Sequence, residues 1–240
     1  MSDIPERLER VRARLASACA SSNRAVDSVR LVAVSKFQPA SAIRSAYAAG
    51  QRDFGENYVQ ELQQKASELA DLADLHWHVI GHLQRNKARV AAGLASFVHT
   101  VHSLELAREL DKRAAERANS PRFAGTDPRL PTLVEVNVAG ELQKSGCAPE
   151  ALEAILETLE QAQNLRLAGL MCVPPQTEDP SAARPFFDEL VRLRALHGGA
   201  PRLPELSMGM TSDLEHAVAA GATIVRVGTA IFGERQKATR

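Results

Sequence analysis

The sequence predicts an α/β protein built as a single (β/α)8 barrel of the TIM type, with one extra helix at the N-terminus. Eight short β-branched runs alternate along the chain with longer helical stretches rich in Ala, Leu, Glu, Arg and Gln. A length of 240 residues suits one such barrel, and we expect a single domain over residues 1–240. Only 4% of the residues are aromatic, so aliphatic side chains must build the core, as is typical of buried parallel strands. An open doubly wound sheet is the alternative.

The chain begins with a predicted amphipathic helix within residues 1–23, because Ile4, Leu8, Val11 and Leu15 recur at helical spacing. The eight strands that follow are predicted at 31–35, 52–55, 76–81, 97–101, 132–138, 165–173, 205–208 and 223–228. The seven helices between them are predicted at 39–49, 57–70, 84–95, 103–118, 149–163, 181–196 and 211–220. Three Ala-Ala-Gly triplets, at 48–50, 91–93 and 219–221, place glycine where a helix C-terminus favours a left-handed residue.

The charges balance, with 29 Lys and Arg against 29 Asp and Glu, so no overall positive field marks the chain as a nucleic-acid or membrane-surface protein. No apolar run approaches the length of a membrane span, and the charged N-terminus does not resemble a secretory signal. The three cysteines lack a CxxC pair and are typical of thiols kept reduced. We therefore expect a cytoplasmic protein with no nucleic-acid or membrane partner. We also expect a monomer, although the sequence alone does not decide self-association.

Lys36 directly follows the apolar run of the first predicted strand. Active sites of these barrels lie at the C-terminal ends of the strands. Desolvation at the mouth of a buried strand lowers the pKa of an amine, which makes such a lysine a candidate to form a Schiff base. A lysine that extends from the strand end into water is the alternative interpretation.

The loops after strands seven and eight predict an anion site, because barrels frequently bind phosphate there. Ser207 and Thr229 supply hydroxyls, Arg226 supplies a cation, and Gly209 and Gly228 allow a close approach of backbone N–H groups. Glycines that only permit turns, and an arginine that pairs with a core carboxylate, are the alternative. A Schiff-base lysine beside a phosphate cradle implies a phosphorylated aldehyde or ketone, either pyridoxal 5′-phosphate (PLP) or a sugar phosphate in an aldolase-like reaction.

Other polar residues near the strand ends give weaker indications of function. His76, His78, His99 and His102 lack a carboxylate or cysteine partner at ligand spacing, so we predict structural histidines and no metal site. A lone strand-end glutamate such as Glu56 could act as an acid or base, or could support another residue.

Seven blocks, which span nearly the whole chain, closely resemble the pyridoxal phosphate homeostasis protein family. They are LVAVSKFQP around Lys36, FGENYVQE at 54–61, WHVIGHLQRNK at 77–87, EVNVAGELQKSG at 135–146, GLMCVP at 169–174, LSMGMTSDLEHAVAAGAT at 206–223 and VRVGTAIFGER at 225–235. The loop Gly81-His82-Leu83-Gln84-Arg85 has histidine and arginine where many bacterial relatives have proline and serine, and we expect this difference to change the local loop chemistry but not cofactor binding.

The resemblance implies a barrel similar to the N-terminal domain of alanine racemase, with PLP on Lys36 as a Schiff base. It implies that Ser207, Gly228 and Thr229 hold the phosphate, that Arg226 contacts the cofactor, and that Asn57 lies near the ring, with Met208 and Gly209 as adjoining backbone. Whether Arg226 meets the phosphate or the pyridine nitrogen stays open.

The resemblance and the chain length favour a protein that buffers or delivers PLP over an enzyme. Racemisation needs a second acid–base group on the opposite face of the substrate, and we expect no second domain to supply it. Tyr47 and Tyr58 are the only tyrosines, and Tyr58 follows Asn57. A weak PLP-dependent racemase and a sugar-phosphate aldolase stay as alternatives. Apo forms of PLP-dependent enzymes are the candidate recipients, and Lys144 is a possible second amine for delivery or a solvated loop lysine.

Overall fold

The computed structural model describes residues 4–141 and 143–233, and its eight strands form a closed parallel barrel in sequential order. Val32 of the first strand lies opposite Arg226 of the last, which closes the barrel. The strands are β1 (Arg30–Val34), β2 (Asp53–Glu56), β3 (His76–Val79), β4 (Phe97–Val101), β5 (Leu130–Glu135), β6 (Leu165–Met171), β7 (Glu205–Ser207) and β8 (Ile224–Val227). The predicted (β/α)8 barrel is confirmed, and the open doubly wound sheet is excluded.

Helices follow the strands as the sequence predicts, although most are shorter than expected. They are α1 (Ile4–Ser21), α2 (Ala40–Ala48), α3 (Val59–Glu68), α4 (Ala88–Leu94), α5 (Leu104–Ala114), α6 (Leu152–Gln161), α7 (Arg184–Leu196), α8 (Gly199–Arg202), α9 (Leu214–Ala220) and α10 (Thr229–Phe232). The short helices α8 and α10 were not predicted. The leading helix α1 buries Leu8, Val11 and Leu15 and packs against α9 and α10, beside the last strand.

Two of the three predicted glycine helix ends are confirmed. Gly50 (φ 85°) and Gly221 (φ 109°) follow α2 and α9 in the left-handed conformation. The prediction for Gly93 is wrong, because α4 continues through it to Leu94. The guanidinium of Arg117 instead donates to the carbonyl oxygens of Ala92 (2.6 Å) and Ala95 (2.8 Å) and satisfies the end of α4 from a distant part of the chain.

The apolar core has two parts. The larger part, here called the shell, lies between the outer face of the strands and the helices and includes Phe54, Trp77, Leu62, Leu110 and Phe187. The smaller part comes from strands alone and fills the interior of the barrel with the side chains of Val32, Phe97, Leu133, Ala168, Met171 and Ile224. In the described part of the chain, no helix combines the length and apolarity needed to cross a bilayer.

Candidate functional site

Lys36 lies in a tight turn just beyond the end of β1, and its two neighbours in sequence are held from behind by α3. The Lys65 ammonium donates to the carbonyl oxygen of Ser35 at 2.8 Å. The backbone N–H of Phe37 donates to Glu61 Oε2 at 2.7 Å. Phe37 has a left-handed φ of 63°, which is unusual for a non-glycine residue. Both sides of Lys36 are thus fixed by specific contacts, although the side chain itself is only partly buried.

Glu56 also contacts the residues that hold the Lys36 turn in place. Its Oε1 accepts from the Ser35 hydroxyl at 2.6 Å and from Lys65 at 2.8 Å. Burial raises the pKa of the Glu56 carboxyl, while the ammonium of Lys65 opposes that shift. The sequence left Glu56 open as an acid, a base or a supporting residue. The geometry favours the supporting role, because its contacts join β1, β2 and α3.

A polar pocket of about 430 Å³ opens beside this turn. It is lined by Asn57, Tyr58, Val59, Gln60, His82, Gln84 and Lys87. The Tyr58 ring is half-exposed and lies against the Phe37 ring, with 5.4 Å between centroids. A Cβ on Gly81 would lie 2.3 Å from the carbonyl oxygen of Asn57, so only glycine lets the two loops approach this closely. Asn57 is therefore held at the rim next to the Lys36 turn.

The loops after β7 and β8 bring two hydroxyl groups together at the same mouth, next to the end of β1. Thr229 Oγ1 lies 3.2 Å from Thr211 Oγ1, and both side chains reach the surface of the barrel end. Gly209 adopts φ 93° below them, and its carbonyl oxygen accepts from the backbone N–H of Arg226 at 2.9 Å. A Cβ on Gly228 would lie 3.2 Å from the carbonyl oxygen of Val34, so this loop touches the end of the strand that carries Lys36.

Thr211 was not recognised in the sequence as a site residue, because residues 211–220 were predicted to be helical. The prediction is wrong for the first turn. Asp213 Oδ1 accepts from the backbone N–H of Met210 at 2.5 Å and folds residues 210–213 into a loop, so that α9 begins only at Leu214. The sequence did contain a signal for Thr211, because this hydroxyl residue comes two positions after Gly209, just beyond the end of β7.

Ser207 and Arg226 lie deeper, inside the barrel. Arg226 is buried and donates through one Nη to Ser207 Oγ at 2.6 Å and through the other to the carbonyl oxygen of Cys172 at 3.0 Å. Burial lowers the pKa of Arg226, although a guanidinium stays charged near neutral pH. Ser207 is likewise buried, whereas Thr211 and Thr229 lie at the rim. Met208 beside Ser207 is fully buried, and its backbone N–H donates to the carbonyl oxygen of Ile224.

The polar contacts of Ser207 continue across the interior. Ser207 Oγ lies 2.9 Å from His99 Nδ1, His99 Nε2 lies 2.9 Å from His78 Nδ1, and His78 Nε2 lies 2.9 Å from Asp53 Oδ1. Burial lowers the pKa of both imidazoles, so they are neutral near pH 7. The sequence predicted structural histidines at these positions but gave no sign of this chain of contacts. Among the residues the structure describes, no group of three or more His, Cys, Asp or Glu side chains is arranged to hold a metal ion.

Glu135 is a second buried carboxyl near the site, at the last position of β5. The Ser145 hydroxyl donates to its Oε2 at 2.9 Å, and His82 Nδ1 lies 3.0 Å from the same hydroxyl. Burial raises the pKa of Glu135, while the Ser145 hydrogen bond and the Arg226 charge oppose that shift. Lys144 precedes Ser145, and its ammonium forms an ion pair with Glu141 at 2.8 Å. The Lys144 side chain is partly exposed.

The structure thus collects most of the predicted residues at one end of the barrel. Lys36, Asn57, Gly209, Gly228 and Thr229 surround the mouth, and Arg226 lies just beneath it. Ser207 and Met208 lie inside rather than at the rim. This arrangement joins an amine, a pair of hydroxyls and a buried cation, which is the chemistry needed to hold a phosphorylated aldehyde.

Comparison with known proteins agrees with this chemistry. Residues 7–236 match the family model described as "Alanine racemase, N-terminal domain". A pyridoxal phosphate homeostasis protein of Pseudomonas aeruginosa is 47% identical over 98% of this chain and 97% of its own. A protein of the same name from Escherichia coli K12 is 39% identical over 98% of both chains.

Solved structures show the same similarity. PipY of Synechococcus elongatus PCC7942, in a structure with PLP bound, has a TM-score of 0.78 and 41% identity and covers 96% of this chain and 100% of its own. Alanine racemase of Clostridium difficile 630 has a TM-score of 0.68 at 11% identity, covering 98% of this chain but 58% of the racemase. The latter likeness concerns the fold alone.

Proposed function

Because the chain belongs to the family of pyridoxal phosphate homeostasis proteins, we propose that it binds PLP and contributes to PLP homeostasis by buffering or delivering the cofactor. One observation carries the proposal: the turn that presents Lys36 and the hydroxyl pair of Thr211 and Thr229 lie around the same barrel mouth. We propose that Lys36 holds the aldehyde carbon as a Schiff base and that the hydroxyl pair holds the phosphate. The PLP-bound PipY structure supports PLP as the ligand.

The residues present fit a bound phosphate. Two hydroxyls 3.2 Å apart can both donate to phosphate oxygens. A Cβ on Gly209 would lie 2.4 Å from Ala217 Cβ, and one on Gly228 would lie 3.2 Å from the carbonyl oxygen of Val34, so both glycines allow the loops that carry the hydroxyls to pack closely against α9 and β1. Ser207 was expected from the resemblance to share this role. Its burial and its contacts with His99 and Arg226 favour a supporting role instead, with Thr211 in its place at the phosphate.

Arg226 is proposed to face the ring of the cofactor rather than its phosphate. Its guanidinium lies inside the barrel and is bonded to Ser207 and to Cys172, while the proposed phosphate-binding hydroxyls lie at the rim. A guanidinium facing the pyridine nitrogen disfavours protonation of that nitrogen and weakens the electron sink that PLP supplies to enzymes. This position supports a carrier over a catalyst. Asn57 is proposed to lie at the edge of the ring, and Met208 and Gly209 to form the adjoining backbone.

The loading test uses absorbance. The purified chain mixed with PLP should develop an imine band near the boundary of the visible and ultraviolet regions, and Lys36→Ala should abolish it. Lys112→Ala is the matched control, because Lys112 is exposed in the last turn of α5 and its loss should leave the band in place. A band that persists in Lys36→Ala would overturn the assignment to Lys36.

Delivery is tested by transfer to an apo form of a PLP-dependent enzyme in the presence of a scavenger of free aldehyde. The loaded chain should activate the apo-enzyme more than an equal amount of free PLP does under the scavenger. Equal activation would contradict direct delivery and leave buffering as the function.

We propose a cytoplasmic monomer as the active form.

Lys144 is proposed as a secondary amine during delivery. It directly precedes Ser145, whose hydroxyl donates to Glu135 at the end of β5, so it lies on a loop at the C-terminal end of the strands. Lys144→Ala should then load normally and release PLP more slowly. Loading and release rates equal to those of the parent would remove Lys144 from the proposal.

A weak PLP-dependent racemase is the second candidate function, and one observation favours it. Tyr58 lies half-exposed at the rim against Phe37, the residue that follows Lys36, so a phenol is available near the mouth. Amino-acid turnover that requires Lys36 and falls in Tyr58→Phe would displace the carrier proposal. Turnover unaffected by Tyr58→Phe would argue against this tyrosine as the second acid–base group.

A further inference from the structure

The chain of polar contacts from Asp53 to Arg226 crosses the interior of the barrel. Asp53 is the first residue of β2, at the N-terminal end of the strands, and Arg226 lies two residues before Gly228, near the C-terminal end. His78 of β3, His99 of β4 and Ser207 of β7 connect them. The four contacts measure 2.9, 2.9, 2.9 and 2.6 Å. Every one of these side chains except that of Asp53 is at least nine-tenths buried.

The protonation states at the two ends fix the direction of every hydrogen bond between them. Burial pushes the pKa of Asp53 upward, but hydrogen bonds from His76 and His78 outweigh this effect and keep the pKa well below its usual range. Asp53 is therefore a carboxylate, which can only accept, so Nε2 of His78 must carry a hydrogen. At the other end the guanidinium of Arg226 can only donate.

Neutral imidazoles complete the assignment. A neutral His78 with hydrogen on Nε2 has a bare Nδ1, which must accept from Nε2–H of His99. His99 then has a bare Nδ1, which accepts the hydroxyl hydrogen of Ser207. Ser207 Oγ accepts from Arg226 in turn. All five groups fit a single order, in which Arg226 donates to Ser207, Ser207 to His99, His99 to His78, and His78 to Asp53.

We propose that Asp53, His78, His99 and Ser207 are positioning residues that orient the Arg226 guanidinium for the cofactor ring. The inference rests on the proposed function and deepens it at that site. The single hydroxyl hydrogen of Ser207 is committed to His99, so the serine cannot donate it to a phosphate. A carboxylate at one end of the barrel thereby anchors a cation at the other end through three intermediate side chains.

The first test measures the tautomers of the two histidines by ¹⁵N NMR of the full chain without added cofactor. Both His78 and His99 should be neutral at pH 7 with hydrogen on Nε2, the signals being assigned from their loss in His78→Gln and His99→Gln. The charged or titratable groups that bear on these imidazoles are Asp53, His76, Arg30 and Arg226. Hydrogen on Nδ1 of either residue, or a charged imidazole at pH 7, would overturn the proposed order. This result does not depend on whether Lys36 binds PLP.

The second test asks whether the far end of the chain affects the mouth. Asp53→Asn and His99→Leu should each weaken PLP loading about 10-fold and shift the pH profile of the imine band, because Arg226 loses its fixed orientation. His99→Gln should restore most of the loading, since an amide can both donate and accept. His197→Gln is the matched control, because that histidine pairs with Glu153 on the outside of the barrel. Its spectrum and affinity should equal those of the parent.

A merely structural role predicts a different pattern. Asp53→Asn and His99→Leu would then lower thermal stability while the band, its pH profile and the affinity for PLP stay those of the parent, and the positioning proposal would be overturned. Ser207→Ala removes only one hydroxyl next to Arg226, and should give the same spectral shift if the larger substitutions prevent folding. A parent chain that never loads would defeat the proposed function, while the tautomer measurement would still decide the hydrogen-bond order.

Discussion

The shell and the interior of the barrel are both buried, yet they are built in different ways. The shell joins aliphatic and aromatic side chains of strands and helices, such as Trp77 and Phe187, and none of these contacts is directional. The interior combines a small apolar cluster with the chain of hydrogen bonds from Asp53 to Arg226. The shell therefore holds the fold through area and packing, whereas the interior fixes individual atoms beneath the mouth.

The largest expected effect on stability comes from the shell. Phe187→Ala, in the fully buried face of α7, should lower the free energy of unfolding by about 3–5 kcal/mol, because it removes apolar contacts and leaves a cavity. Denaturant titration measures the change. The imine spectrum of the remaining folded protein should be that of the parent, and a shifted spectrum would contradict the separation of shell and interior. Leu196→Ala, at an exposed position of the same helix, should cost less than about 0.5 kcal/mol.

The interior makes a distinctive prediction for pH. Burial lowers the folded-state pKa values of His78 and His99, so below about pH 6.5 the unfolded chain binds protons that the folded chain does not. The free energy of unfolding should fall as pH decreases from this point, by up to about 1.4 kcal/mol per pH unit for each histidine. Denaturant titrations between pH 7.5 and pH 5 measure the slope.

His99→Gln removes one of these groups and should have a shallower slope than the parent over the same pH range. Asp53 adds a contribution at lower pH, because its folded-state pKa is held below its unfolded value and its stabilisation is lost as the carboxylate is protonated. Equal slopes in the parent and in His99→Gln would show that His99 is not a buried neutral imidazole.

At the rim, single hydroxyls should have smaller effects. Thr211→Ala and Thr229→Ala should each weaken PLP binding about 10-fold, or about 1.4 kcal/mol, through the loss of one hydrogen bond to a charged phosphate. Their affinity for pyridoxal without the phosphate should not change. Thr158→Ala is the control, because that hydroxyl bonds to its own helix at Ala154. A loss of affinity for both ligands would place the two threonines away from the phosphate.

The smallest expected changes in stability come from substitutions of two glycines in the helical layer. Gly93→Ala should raise stability by about 0.5–1 kcal/mol, because Gly93 lies inside α4 and a Cβ there meets no atom within 4 Å. Gly221→Ala should lower stability by about 1 kcal/mol, since its φ of 109° disfavours a side chain. Thermal unfolding separates the two. A loss of stability in Gly93→Ala would contradict the end of α4 described above.

How far the sequence could predict these regions follows from the kind of interaction in each. Alternation of strands and helices, with glycines such as Gly50 and Gly221, reports local backbone preferences and led to the correct barrel. The end of α4 was missed because Arg117 reaches it from another part of the chain. Lys36 could be singled out because a strand end positions it. The contact between Ser207 and His99 could not be predicted, because the two residues lie 108 positions apart in the sequence.

The central claim, that Lys36 is the amine that holds PLP, is tested most directly by reducing the loaded protein with borohydride and mapping the modified peptide by mass spectrometry. We expect one adduct, on the peptide that contains Lys36, with the mass of a reduced pyridoxyl phosphate group, and none there in Lys36→Ala. An adduct with the mass of a sugar phosphate would indicate an aldolase. A pyridoxyl phosphate adduct on another lysine, with Lys36 unmodified, would contradict the account.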